Sequence, residues 1–589
     1  MPKVVDLSSR ETLQRRLGAM KVERESFMAH WQELSQFVEP RRGRFLITDV
    51  NKGTKCHQSI INSTATKALQ VAQSGMLAGI MSPSRPWFQL GPPDPEMNEY
   101  KPVKIWLWQV THLMLDIFNQ SNLYMMAPTM LGNLLLHATG FMTHEDDFDD
   151  VARFYTHPTG SYMLAQDDRN KVTTFAREFY ETVEQVVAKF GYGNCSTWVQ
   201  GMYDRGNYDT WAQVAHFVSP SELYTPNTVG SKKYRSCYFE PTNQDKTKFL
   251  EQKGFNAFPG YAPRWEVTGN DIYGTNCPGM IALGDTKQLQ IEEKRKAQGI
   301  DKLVNPPLQG PPSLRGVPVS ALPGGLTIYQ QQDKTIGLRP IYEVKPDLGA
   351  LTADIRGVEQ RIKEIFFTDL FLAITSMEGI QPRNEFELNQ RNQERLLQLG
   401  PVLEQTHGGF LSQLIDRTFD QIIAAKLVPP APPELQGKPL RVKYISSLAI
   451  AMRATMTGGI DRLGAFIGGL MKAGLSDGKK FDGDQAVDEY GEAIGSPPKI
   501  IRSDDEVAEM RQQEQQRLAM QQGVEMAGTA AKAAKDAAQA QTATPSVLSN
   551  LAAAMGQRGA QPSAAPPSGL SPMSLPSAGA PVLPARRQL

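Results

Sequence analysis

Apolar side chains fall at Leu13, Leu17, Met20, Phe27, Trp31, Leu34 and Val38, at steps of three, four or seven. That repeat puts them on one face of a helix, which Pro40 ends. A second helix is predicted over Ile60 to Met81. Its Ala65, Ala68, Ala72, Gly75, Ala78 and Gly79 are small residues that permit close packing of another helix. Ser82-Pro83-Ser84-Arg85-Pro86 stops it. A third, Val103 to Asn119, carries Trp106, Trp108 and Phe118 and is placed in a core.

From Thr139 to Phe179 the period shortens to two. Four β-like runs (GFMTHE, VARFYTH, SYMLAQ and KVTTFAREF) are separated by acidic or Gly/Pro turns, the pattern of an antiparallel meander. It feeds a helix predicted over Tyr180 to Phe190. Further strands are expected at AQVAHFV, YRSCYFE and PRWEVT.

A charged helix, Asp285 to Leu303, then precedes a Pro/Gly-rich insert, VNPPLQGPPSLRGVPVSALPGG. Beyond it, Leu348, Leu351, Ile355, Val358, Ile362 and Ile365 form a narrow stripe suited to packing among helices. The stretch LFLAITSMEGIQPRNEFELNQR leads from this helix, through a polar loop, into another. That last helix runs to Leu427 and is predicted to kink at Gly400-Pro401, because proline removes a backbone donor and crowds the preceding turn. A short strand, LRVKYIS, follows Pro429 to Pro433. Ser503 and Glu506 form a capping box for a Gln/Ala-rich helix reaching about Ala540. From Gln541 onward Pro, Ala, Ser and Gly dominate, and disorder is expected.

The 589 residues bound the chain at about three to four domains. With 62 Lys+Arg against 62 Asp+Glu, the charge balance argues against a general nucleic-acid-coating protein. It leaves room for one that touches DNA locally. Cys56, Cys195, Cys237 and Cys277 are far apart, as expected of free, buried thiols in a reducing compartment. The N-terminus has no apolar signal core, and the apolar runs Met76 to Met81 and Leu131 to Leu136 are too short to span a bilayer. A soluble protein made in the cytoplasm, with no membrane association, is expected.

Candidate chemistry is sparse. Gly474 to Lys480 has the wrong spacing for a phosphate-cradling loop, and Gly459 to Gly464 is followed by Ala465 rather than Lys. His144-Glu145-Asp146-Asp147 with Asp149 and Asp150 reads as a solvated hairpin turn in preference to a metal cluster. No catalytic residue, metal site or cofactor is expected. Lys294, Arg295 and Lys296 follow Glu292-Glu293 on one helix, either as a solvated face with ion pairs or as a basic band facing a polyanion. Arg41-Arg42-Gly43-Arg44 is either a surface turn or a subunit or nucleic-acid contact.

Several ordered stretches resemble a known family: IINSTATKALQVAQSGMLAGIMSPSRPWFQL, ATGFMTHEDD, GMIALGDTKQLQIEEKRKAQGIDKLVNPP, NQRNQERLLQLGPVLEQ and LVPPAPPELQGKPLRVKYISSLAIAM. Over roughly residues 10 to 530 they are similar to the portal, or head-to-tail connector, proteins of short-tailed, T7-like bacteriophages. The resemblance implies an α+β, predominantly helical, ring-forming portal fold. Carried onto this chain, residues 1–280 are a wing, 281–303 and 347–369 two stem helices, and 304–346 a clip. Residues 370–383 are a tunnel loop, 384–445 a kinked wing helix with its return strand, 446–540 a helical crown and 541–589 a low-complexity tail.

The resemblance further implies a homo-oligomer, usually a dodecamer, at a unique capsid vertex of the virion, assembled in the host cytoplasm. Double-stranded DNA would pass its channel without sequence reading during packaging and ejection. The partners implied are terminase, then tail or adaptor proteins, with major capsid and scaffolding proteins around. Thr375, Ser376, Met377, Glu378 and Arg383 would be the loop residues at the channel; Lys294, Arg295 and Lys296 would be DNA-facing on the stem. A bore that neutralised many phosphates would impede sliding, since each contact adds a counterion-release gain. The alternatives are another virion structural or internal tail protein, or a DNA-packaging enzyme.

Overall fold

The first long helix serves two cores, and that division organises the molecule. The computed structural model describes residues 9–46, 56–92, 100–147, 151–225, 228, 230–304, 308–309, 339–340, 347–376, 400–435, 440–445, 463–472, 481–483, 485–487 and 504–540. Helix α1 (Arg10–Phe37) is capped by Ser9, whose hydroxyl accepts from the Thr12 N–H. Its 28 residues make it about 42 Å long. Leu13, Leu17 and Met20 pack on Met163, Ala176, Ala215, Phe217, Cys237 and Phe239 of a sheet. Trp31, Leu34 and Val38 enter a larger, mainly helical core.

That core is built from α2 (Thr64–Ile80), α3 (Lys101–Gln120) and α4 (Leu123–His137). The small face of α2 does what its composition predicts: a Cβ added at Gly75 would stand 2.3 Å from the Cβ of Phe371. Helix α4 is not marked by the sequence pattern. Leu123, Ala127, Met130, Leu131, Leu134, Leu135 and Leu136 are all buried, so it shows no amphipathic period, and Pro128 lies inside it.

The four β-like runs form strands, but not one meander. Strands β2 (Met142–Asp147) and β3 (Val151–Thr156) pair in a three-stranded sheet of order β3-β2-β9, with β9 at Gly260–Tyr261. Strands β4 (Tyr162–Gln166) and β5 (Val172–Thr182) instead open a five-stranded antiparallel sheet. It continues through β6 (Trp211–Pro220), β7 (Tyr234–Phe239) and β8 (Glu251–Phe255) in sequence order. The crossing is made at Pro158-Thr159-Gly160, where the Thr159 and Gly160 carbonyls are taken by other parts of the chain. Arg44 N–H donates to Thr159 and the Arg24 guanidinium to Gly160. Those contacts draw the connector toward α1 and away from a β3–β4 pairing.

Thr182 and Gln185 form the capping box that starts α5 (Val183–Phe190), and α6 (Thr197–Asp204) follows. The strand expected at PRWEVT is absent among the described residues. Trp265 N–H instead donates to Ala138 O, and Glu266 bridges Thr275. The loop is held by the buried Arg264, which reaches Gln166 and the carbonyls of Asp271 and Ile272.

After the one-turn α7 (Pro278–Ile281), α8 (Leu283–Val304) and α9 (Leu348–Ile365) lie side by side. Between them, β10 (Leu308–Gln309) pairs with β11 (Arg339–Pro340), closing the ends of the Pro/Gly-rich insert. Helix α10 (Thr368–Ser376) packs along α2. Residues 400–406 are helical, His407–Leu411 is a π turn, and Ser412–Ala424 continues as α-helix. The predicted bend at Gly400-Pro401 lies at the margin of the described residues. A distortion appears further on, where Gly409 packs against Pro263 and the His407 ring stacks on Tyr444 at 4.1 Å. Strand β12 (Arg441–Tyr444), foreseen in LRVKYIS, pairs antiparallel with β1 (Phe88–Gly91).

Where length alone gave about three to four domains, the chain divides into two compact units, 1–503 and 504–589. The second contains the helix Asp504–Ala540; its expected cap Ser503 and residues 541–589 lie outside the described residues. Among the described residues no helix is long and apolar enough to cross a membrane. Cys195, Cys237 and Cys277 are free and buried as expected, whereas Cys56 is exposed.

Candidate functional site

Helices α8 and α9 leave the body together. In α8 the last fully buried side chain is Gln290; from Glu292 to Val304 none is buried. In α9 burial begins at Ile355. The distal parts therefore project as a two-helix hairpin. Its solvent face on α8 is set by spacing: Lys287, Ile291, Lys294, Gln298 and Lys302 recur at four, three, four and four residues, with Arg295 beside them. Glu292 and Glu293 fall on the flanks, whereas the exposed Asp301 lies at the edge of that face, about 20° from Lys294.

The three basic residues singled out by sequence are not one band. Lys294 and Arg295 are exposed on the outer face. Lys296 is turned about 200° from Lys294, half-buried, with Glu293 at 3.9 Å. Lys287 extends the outer face but is tied to Glu33 of α1. On the neighbouring flank, Arg361 of α9 pairs with Asp285 of α8 at 3.1 Å.

A polar knot fixes the root of the hairpin, and the local sequence gives little sign of it. Gln290 Oε1 accepts from the N–H groups of Ile61 (2.6 Å) and Asn62 (2.8 Å), and its Nε2 donates to Asn62 O at 2.9 Å. Asn62 Nδ2 in turn donates to Glu359 of α9 (2.8 Å) and Glu293 of α8 (3.2 Å). The sole local clue is Asn62-Ser63-Thr64 at the start of α2, a capping pattern whose Asn62 Oδ1 accepts from the Thr64 N–H at 2.9 Å.

The chain enters the expected tunnel loop from a firm base. Leu370 and Phe371 are buried, the latter wedged on Gly75. Thr375 and Ser376 are the last residues of α10. Met377, Glu378 and Arg383 lie outside the described residues. On the far side Val402 and Leu403 are buried in the same core. Both ends of the segment 377–399 are thus anchored in one cluster.

Other candidates resolve into structural roles. Arg42 points inward, bonding Glu39 at 2.7 Å and Gln73 at 2.7 Å. His144 is fully buried and bonds the Tyr261 hydroxyl at 2.5 Å, so it is no part of a solvated turn. Asp146 and Asp147 instead pair with Arg417 and Arg153. Residues 148–150 lie outside the described residues.

Three hydroxyl–imidazole pairs invite a test for catalysis: Ser35–His137 (2.9 Å), Thr143–His157 (3.1 Å) and Ser236–His216 (2.8 Å). All six side chains are buried. Burial, then the Arg177 guanidinium, pushes His157 well below its usual range. Burial, then Arg42, pushes His137 down to about 3. A general base must gain a proton near the working pH, and here each would gain it beside an existing cation. Thr143 and His157 line a mixed-charge cleft of about 980 Å³ between the two larger sheets, but the pair serves to hold a wall. Among the described residues no group of three or more His, Cys, Asp or Glu could hold a metal ion.

The family model for bacteriophage head to tail connecting proteins matches residues 10–501. This chain belongs to that family. A protein named portal protein, from Salmonella phage epsilon15, is 41% identical over 551 residues, covering 93% of this chain and 99% of its own. A probable portal protein from Bordetella phage BPP-1 is 41% identical over 540 residues, covering 90% of this chain and 96% of its own. A chain from the virion of a native gene transfer agent particle overlays 72% of this chain and 99% of its own. At 11% identity and a TM-score of 0.32, that overlay carries no argument. As a head-to-tail connector, the chain is a virion component of oligomeric kind, and its projecting hairpin and loop are the features to interpret.

Proposed function

We propose that this connector is a portal protein: a ring, of dodecameric size, at one capsid vertex, through which double-stranded DNA is packaged and later ejected. The observation that carries the reading is 41% identity to a named portal protein across 99% of that protein's length. In this reading α8 and α9 are the stem, residues 304–346 the clip, 370–383 the tunnel loop and 446–540 the crown. The clip docks a terminase during packaging and tail or adaptor proteins afterwards. Capsid and scaffolding proteins contact the wing, residues 1–280.

The geometry supports these roles. A loop whose two ends are rooted in one core can reach into a pore without loosening the body. Cyclic symmetry turns each side chain into a ring, so Arg383 becomes a circle of charge and Met377 one of soft apolar contacts. On α8, Lys294, Arg295 and Lys302 offer exposed cations with Gln298 between them. That sparse stripe would attract a duplex weakly and without reading bases. The protein acts as a conduit and not as an enzyme.

Negative-stain imaging of the purified full chain tests the reading. Annular particles with an axial hole wide enough for duplex DNA are expected; a monomer stable across salt conditions would contradict it. ATPase or nuclease activity of the pure chain would favour a packaging enzyme.

A further inference from the structure

The root of the projecting hairpin is held by directional bonds at one level. Below it, α8 and α9 are fixed to the body by apolar contacts such as Leu289, Val358 and Ile362. Those contacts resist separation but specify no angle, since apolar burial is non-directional. Above it only Ile355 and Leu351 of α9 still meet the core, and α8 buries no side chain from Glu292 onward. Gln290 is 5% exposed, and it both accepts from and donates to the backbone of residues 61 and 62, as a neighbouring strand would. Asn62 passes the restraint to the second helix through Glu359. Thr64 Oγ1 lies 3.3 Å from the same Glu359 oxygen. One loop ahead of α2 thus grips both helices, and rotating either would break bonds to the other.

We propose that the Asn62–Gln290–Glu359 clasp sets the angle at which the hairpin leaves the body, and thereby the number of copies that close the ring. This rests on the ring reading above. In a closed ring the rotation between neighbours is the full circle divided by the copy number. Near twelve copies, adding one changes that rotation by only about 2°. The 14 residues of α8 beyond Gln290 (304 − 290) span about 21 Å, so about 2° moves the tip by less than about 1 Å. Hydrogen bonds hold their atoms to a few tenths of an ångström around the preferred distance, which is the tolerance this lever needs. Gln290, Asn62 and Glu359 are positioning residues; they act through the hairpin and not on DNA.

Native mass spectrometry of purified full-length rings tests the clasp. Asn62→Ala removes the side-chain bonds to Glu359 and Glu293 and keeps the backbone bonds to Gln290. Gln290→Glu keeps the two backbone N–H bonds but loses the donor to Asn62 O. Both variants are expected to raise the share of rings of neighbouring copy number by about fivefold, the ratio lost with one net hydrogen bond. Glu359→Gln keeps an acceptor and is expected to retain the wild-type distribution. Clasp variants that form rings with the wild-type distribution would overturn the inference, as would broadening in Glu359→Gln alone. Should Asn62→Ala fail to fold, Gln290→Glu carries the test. A wild-type chain that forms no ring would instead remove the reading on which the clasp rests.

Discussion

Arg10 is 1% exposed, and its guanidinium donates to the carbonyls of Glu240 (2.6 Å), Asn243 (3.0 Å) and Asp245 while lying over Phe239. One cation thereby closes the turn after β7 onto the first turn of α1. Arg10→Met keeps most of the volume but strands these carbonyls; a loss of about 2–3 kcal/mol is expected in urea denaturation, and an unchanged midpoint would contradict the assigned role. Nothing in SSRETLQRR marks Arg10 as buried, since its partners lie 230 or more residues away. The same holds for Gln290 and Asn62, which are 228 residues apart. Long-range polar pairing leaves no local periodicity to read.

The buried histidines give a second expectation at this scale. Burial holds His137, His144, His157 and His216 below the ordinary 6.5. The unfolded chain therefore binds protons that the folded chain refuses as pH falls below about 6.5. Stability is full above that pH and is lost progressively below it, for His137 down to about 3. His157→Gln should flatten the acid limb by up to about 1.4 kcal/mol per pH unit. Denaturation midpoints between pH 7 and pH 5 check this; an identical slope in the variant would count against it.

Among elements, the helices with a one-sided apolar repeat are the legible ones. Helix α1, α3, α8 and α9 emerge within a few residues of their predicted bounds. Helix α4 does not, because its second half, Met130 to His137, is buried on every side, and the two-sheet division of the β region hangs on contacts to Arg24 and Arg44 that no spacing encodes. The small face of α2 is legible in kind, though its partner Phe371 is not. Gly75→Leu should cost about 1–3 kcal/mol by overpacking, and Phe371→Ala in the same chain should recover part of it. On α8, Lys294→Glu with Arg295→Glu should change stability by less than about 0.5 kcal/mol, since both are exposed. The DNA packaged per particle should fall; unchanged packaging would remove the stripe from the channel.

At the scale of the whole molecule, family membership was readable because several long, ordered stretches carry it. The ring and the placement of Met377, Glu378 and Arg383 depend on relations between copies, which one chain's spacing does not encode. Deleting Ser376 to Gln381 should leave rings intact and impair packaging or retention of the genome, as measured by packaged length and leakage; normal values for both would refute a channel role. The most direct measurement is a cryo-electron-microscopy reconstruction of the purified assembly. It should show a closed ring with residues 377–383 lining the narrowest part of an axial channel. A reconstruction with those residues on the outer rim, or a particle with no channel, would contradict the account.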